Sequence, residues 1–356
     1  MKVNNSTRMV IQNWLAGMGI LYLLNLPAIM AMDTNPYKPG QLLSAEQARE
    51  LADRYANREV QDWKPAPDRT TIEGRPDKDL ISYGIQVLGN TLDTIGPWVS
   101  DISKRYSGNS LNCSSCHLKG ADGLPGTKYY AIPFNNLVND YPNLRARSMK
   151  VGTIEDRVNG CMVRSMGDGK PLPGDSREMK AILAYFAWLA EGTKKGLAMR
   201  GTGLPKTDLP KRSAYIKNGS MVFQKTCQAC HGIKGLGLKA PDYDSAGKYS
   251  FPPLAGKDSF NDGAGMSRIT MATRFIHSNM PLGTSSDEPA LSIDDAYDVA
   301  GYVESLPRPR RPGRDKDFPD PGFRPADYPV PEYFNGDMKA LDRARYGPFV
   351  KEGEDK

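Results

Sequence analysis

Two short stretches of this chain repeat one arrangement of sulfur and imidazole. LNCSSCH carries Cys113, Cys116 and His117, and KTCQACH carries Cys227, Cys230 and His231. Cys-x-x-Cys-His is the attachment frame of a c-type haem. Two intervening residues set the thiols apart to match the vinyl groups, and the next residue places an imidazole under the iron. Zinc is the competing chemistry, but 114 residues separate Cys113 from Cys227, against roughly 15–20 in a zinc ribbon. A thioredoxin-like redox motif would need one pair only. The residues therefore predict two covalently attached haem c groups, anchored by Cys113 and Cys116 and by Cys227 and Cys230. His117 and His231 are the expected proximal ligands.

The sixth position of each iron decides what each haem does. In the second half the candidates are Met266, Met280 and His277, from GAGMSR and FIHSNMPLG. Met280, followed by proline after a helical run, has the usual setting of a cytochrome c methionine, and a thioether ligand suits an electron carrier. In the first half no histidine follows His117. The candidates there are Met149, Met162, Met166 and the fifth cysteine, Cys161, in RVNGCMVRSM. Cys161 lies 44 residues after its histidine and Met280 lies 49 after His231, so the two occupy comparable places. A buried inert thiol is the plain alternative for Cys161.

Both frames need helices to hold them, and the chain supplies the same plan twice. DLISYGIQVLGNTLDTIG precedes the first frame and RSAYIKNGSMVFQKT the second. EMKAILAYFAWLAEG, begun by Asp175, closes the first unit, and IDDAYDVAGYVESL, begun by Ser292, closes the second. Both starts carry capping-type residues. The expected fold is mostly α: two tandem cytochrome c-like domains, each around one covalent haem c, with a Pro-rich C-terminal extension. The boundaries read as an N-terminal extension over 32–69, a first domain over 70–195 and a Gly/Pro-rich linker over 196–212. A second domain follows over 213–308, then an extended tail over 309–356, where proline density argues against regular structure.

Lys2 and Arg8, the apolar run WLAGMGILYLL and small residues up to Ala31 read as a secretory signal peptide over 1–31, cleaved near Ala31. Its apolar core is shorter than the ~20 residues of a membrane span, so a periplasmic protein without a stable membrane span is expected. Loss of that segment removes two basic residues from 47 and none of the 41 acids. The balance is too even to argue for nucleic acid.

LNCSSCHLKG, RARSMKVGTIEDRVNGCMVRSM and LPGDSREMKAILAYFAWL, with FPPLAGKDSFNDGAGMSR, FIHSNMPLG and AYDVAGYVESLPRPRRP, resemble the dihaem thiosulfate dehydrogenases of the TsdA type. The resemblance covers roughly residues 70–312. It implies that Cys161 is the distal ligand of a catalytic haem, and that two thiosulfates are joined into tetrathionate there. It implies a second, electron-transferring haem serving an external acceptor such as a small cytochrome c. Two departures stand out: RSMGDG is a residue longer than the family's RSMNG, and Asn279 stands where some members carry a lysine. No motif sets the direction of the reaction.

That reaction brings two dianions together, at a cost of roughly 4 kcal/mol at ~4 Å even in water. Fixed positive charge is required, and Arg145, Arg147, Lys150, Arg157, Arg164 and Lys170 outnumber Glu155, Asp156 and Asp168 between residues 145 and 170. Guanidinium forks suit sulfonate oxygens. Arg157 and Arg164 flank Cys161 at i−4 and i+3, and on one helix they would share its face. Arg147, Arg157, Arg164, Ser165 and Cys161 are the expected catalytic residues. Three other readings remain: a pure electron-transfer cytochrome, a dihaem peroxidase, and a SoxA-like sulfur-transferring cytochrome.

Overall fold

A computed structural model describes residues 35–349; the expected leader over 1–31 lies outside the described residues. Eleven α-helices run in order among them: α1 (Ala45–Ala56), α2 (Lys78–Gly89), α3 (Thr91–Ile95), α4 (Ile154–Met162), α5 (Arg177–Leu189), α6 (Ile216–Thr226), α7 (Gln228–His231), α8 (Tyr243–Ala246), α9 (Ile269–Asn279), α10 (Ile293–Ser305) and α11 (Met338–Tyr346). Strand is confined to three two-stranded pairs, and no described helix is long and apolar enough to cross a membrane.

Two crossed helix pairs carry the architecture. α2 packs across α5, and α6 packs across α10. Both crossings turn on a glycine. A Cβ on Gly84 would run into the backbone carbonyl of Ala181 on α5, and one on Gly219 into that of Asp298 on α10. Without a side chain the backbones touch, and the apolar stripes meet behind them. Ile81, Val87, Ile182, Phe186 and Trp188 fill the first core, and Phe223, Val299 and Val303 form the second.

The helix starts follow from capping. α5 begins at Ser176, whose hydroxyl accepts from Met179 N at 3.2 Å. The cap is thus one residue beyond Asp175, because Ser176 has the extended backbone a cap needs. Ser292 caps α10. α6 has no cap of its own; the buried carboxylate of Asp298 reaches over from α10 to accept from Tyr215 N at 2.8 Å and Arg212 at 2.6 Å. Replacement of Gly219 by valine drives a methyl group into backbone, so a loss of about 3 kcal/mol or more is expected in urea unfolding. Gly265→Ala, which meets nothing within 4 Å, should stay near neutral.

The tail departs from the extended segment expected over 309–356. Residues 307–334 lack longer helices, as their prolines dictate, yet they fold back in short 3₁₀ turns, and Phe318, Tyr328 and Val330 form a small core. Once proline ceases, MKALDRARY forms α11, capped by Asp337. The extension before residue 70 is anchored too, since Val60–Gln61 pairs in parallel with Ala198–Met199 of the linker.

Candidate active site

The first Cys-x-x-Cys-His frame forms a single tight turn after α3. Buried Thr91 accepts from Cys113 N at 2.9 Å, and Asn112 accepts from Leu92 N at 3.0 Å, so the turn is tied to the start of α3. His117 Nδ1 lies 2.6 Å from the Ile132 carbonyl. That bond makes Nδ1 the donor and leaves Nε2 to bind a metal. The imidazole stacks on Phe134, with centroids 4.4 Å apart.

α4 supplies the opposing wall. Thr153 and Asp156 cap its start reciprocally, and Cys161 falls in its last turn, one turn beyond Arg157. Arg157 Nη1 donates to Cys161 Sγ at 2.7 Å. His117 and Cys161 both line a cavity of about 430 Å³, together with Cys113, Cys116, Met162 and Met166.

The three thiols of this cavity differ in character. Burial pushes Cys113 up to about 11 and Cys116 up to about 12, so both are neutral thiols suited to addition across vinyl groups. Burial would raise Cys161 as well, but the Arg157 cation and then His117 outweigh it and bring the thiol down to about 6. Cys161 is therefore a thiolate at neutral pH, in the form that binds metals and attacks sulfur.

The expected site residues do not all converge. Arg157 reaches the cavity, and no carboxylate pairs with it among the described residues. Arg164 does not share its face: α4 ends at Met162, and the chain turns away before Arg164. Its guanidinium instead pairs with Asp317 of the tail at 2.7 Å and donates to Gly263 O at 3.2 Å. Arg147 is drawn to the same place, 2.7 Å from Gly263 O and 3.7 Å from Asp317. Burial, then the neighbouring Arg164 cation, pushes Arg147 down to about 10. Ser165 lines the cavity while its carbonyl accepts from Asn109. Met149 packs with Leu43 and Leu51 in a separate cluster and leaves the set of possible ligands.

A segment of the second unit closes over the Cys161 loop. Asn261 donates to Val163 O at 3.1 Å and to Asp168 at 2.9 Å. Phe260, Ala264 and Met266 pack into the first unit's core, so Met266 faces that core. Asp317 fixes the outer side, taking Tyr328 OH at 2.5 Å besides the two arginines. Asp317→Asn removes the counter-charge of two largely buried guanidiniums. We expect a loss of about 3 kcal/mol or more in thermal or chemical unfolding, and a Tm unchanged from wild type would contradict this balance.

Two charged residues lining the cavity, Arg58 and Asp140, were missed from the sequence. Arg58, in the extension, lines the cavity and pairs with Asp140 at 2.8 Å while stacking on Tyr55. Nothing in its local sequence marks it; only the fold brings it in.

The second frame is built similarly. α6 runs into Cys227, the turn of α7 carries His231, and His231 Nδ1 lies 2.9 Å from Pro252 O. Burial lowers the imidazole below its usual value, which favours the neutral, ligating form. Met280 ends α9, and Ile276, one turn earlier, packs in one cluster with Cys227 and Leu254. His277 lies on the same helix, also lowered by burial.

These residues fit covalent haem: all five cysteines are free of disulfides, paired neutral thiols adjoin an oriented imidazole, and the first cavity's walls are mostly apolar. A cytochrome c family model matches residues 216–307. The thiosulfate dehydrogenase of Psychrobacter arcticus is 37% identical over 261 residues, 73% of each chain. That of Allochromatium vinosum is 40% identical over 204 residues, 57% of this chain and 72% of its own. Among solved structures, the thiosulfate dehydrogenase TsdBA from Marichromatium purpuratum matches with 31% identity and a TM-score of 0.61, over 76% of this chain and 55% of that one.

Proposed function

Because this chain belongs to the thiosulfate dehydrogenase family, we propose that it joins two thiosulfates into tetrathionate at the Cys161 cavity and releases two electrons. Cys113, Cys116 and His117, together with Cys161, would hold one haem c there. Cys227, Cys230, His231 and Met280 would hold a second. When bound, each haem takes up and passes on one electron at a time. The electrons leave to an external acceptor such as a small cytochrome c, and the protein works in the periplasm after export.

The chain's own residues supply the rest. Arg157 keeps Cys161 ionised and presents its remaining N–H groups to a sulfonate in a water-poor cavity, where such contacts are strong. The Cys161 sulfur bonds to the sulfane sulfur of one thiosulfate, giving a protein S-thiosulfonate as two electrons depart. A second thiosulfate attacks that sulfane sulfur; the bond to Cys161 breaks, tetrathionate leaves and the thiolate returns. No proton is consumed, which suits a cavity whose nucleophile is already ionised. Arg164 and Arg147, which share the carboxylate of Asp317, brace the loop rather than bind substrate.

The observation that carries this reading is the 2.7 Å contact of Arg157 with Cys161 in the cavity that His117 lines. The test is to supply purified holoprotein with thiosulfate and ferricyanide. One tetrathionate should appear for every two ferricyanides reduced, and a haem assay should give two per chain. Ferricyanide reduction without tetrathionate, or transfer of thiosulfate only to a partner's cysteine, would sink the proposal.

A further inference from the structure

The two sites meet at one seam, Lys128–Ile132 against Asn279–Thr284. Ile132 O accepts from the His117 imidazole. Two residues earlier, Tyr130 O accepts from Asn279 Nδ2 at 3.1 Å. Asn279 is fully buried, and the next residue is Met280. A continuous chain of bonds thus joins the proximal imidazole of the first site to the methionine of the second. Lys128 Nζ adds a parallel tie to Thr284 O at 2.7 Å.

The seam is braced from behind by the linker. Tyr130 N donates to Gly201 O at 2.7 Å and Ile132 N to Gly203 O at 2.9 Å. Tyr130 and Ile132 both hold left-handed backbone, with φ of 53° and 55°, which is unfavourable for a β-branched isoleucine and persists only where surroundings impose it. The result aims both carbonyls outward, one to each site. Asn279 also donates to Ser278 Oγ at 2.8 Å, while its Oδ1 has no partner among the described groups.

We propose that Asn279 is a positioning residue: through Tyr130 it fixes the Met280 loop in register with the first site, and so holds the thioether at the second iron. The inference rests on the reading of His231 and Met280 as that iron's ligands. Backbone carbonyls accept at this seam, so among the described residues Lys128 and Asn279 supply the side-chain ties across it that a substitution can cut.

The test uses full-length holoprotein and two variants. Asn279→Leu keeps volume and removes the tie; Lys128→Met cuts the parallel one at a half-buried position. In Asn279→Leu the balance between methionine-bound and methionine-free second haem should shift roughly fivefold, as for loss of one net hydrogen bond. The methionine-to-ferric-iron charge-transfer absorption should weaken and the second haem's potential fall, while the first haem's thiolate resonance stays unchanged. Lys128→Met should move the same signals in the same direction, by less, and decides the matter if Asn279→Leu does not fold. A wild-type protein lacking the methionine absorption overturns the ligand reading and this inference with it. An absorption and potential unchanged in the variants overturns the inference alone.

Discussion

Cys161→Ala is expected to keep both Cys-x-x-Cys-His attachments yet lose thiosulfate oxidation by roughly a thousandfold or more, as when a nucleophile is removed. The side chain is small and sits beside a cavity, so the fold should survive. Removal takes away the only thiolate of the cavity, because Cys113 and Cys116 become thioethers once the attachment is made. It also strands Arg157, whose one described side-chain bond is to that sulfur. Cys161→Met makes the comparison sharper: a thioether can ligate iron but cannot carry a thiosulfonate. If ligation alone mattered, Cys161→Met would keep much of the rate; on the mechanism proposed here it falls as far as alanine. Steady-state oxidation with ferricyanide, together with the low-spin resonance of the oxidised protein, separates these outcomes. Undiminished turnover in Cys161→Ala with haems intact would end the case for a sulfur nucleophile.

What the sequence disclosed and what it hid divide along one physical line. Groups whose chemistry is set by neighbours in the chain were legible: the Cys-x-x-Cys-His turns, the i−4 relation of Arg157 to Cys161, the Ser292 cap, the glycine-containing helices before each frame. Groups whose partner lies far along the chain were not. Arg164 looked like a substrate ligand until Asp317, 153 residues later, was found to hold it. Met266 was weighed for the second haem, yet it packs into the first unit's core. Arg58 comes from an extension with no motif of its own. The tail was read from its prolines as extended over 309–356, which fits the lack of long helices up to residue 334 but fails at MKALDRARY, a proline-free stretch that forms α11.

These long-range partners explain why the resembling motifs lie in both halves. NDGAG is far from any ligand in the chain, yet Gly263 lets Arg147, Arg164 and Arg311 converge, since a Cβ there would meet Arg164 and Arg311. The Cys161 loop is therefore a product of three segments: its own helix, a loop of the second unit and the tail. That arrangement leaves Arg157 as the cation on the sulfur, while Arg147 and Arg164 share the carboxylate of Asp317.

That cation is the basis of the second large effect. Arg157→Gln should lower kcat/KM for thiosulfate by roughly 10²–10³, the scale of losing one preorganised charged donor. It should also move the acid limb of the pH profile. In the wild type Arg157 opposes burial and holds Cys161 at about 6, so the thiolate persists above that pH and is lost as pH falls through it. In Arg157→Gln, burial acts unopposed by that charge, and the acid limb must shift to higher pH. Arg157→Lys should fall between, since it restores the charge but not the two-point fork: the acid limb returns most of the way while the affinity for substrate does not. A rate loss in Arg157→Gln with an unmoved acid limb would mean that the guanidinium meets only the sulfonate. A shifted limb with full rate at high pH would mean that it serves only the thiolate. The geometry argues for both roles at once, because one N–H already lies on the sulfur and a guanidinium has five N–H donors.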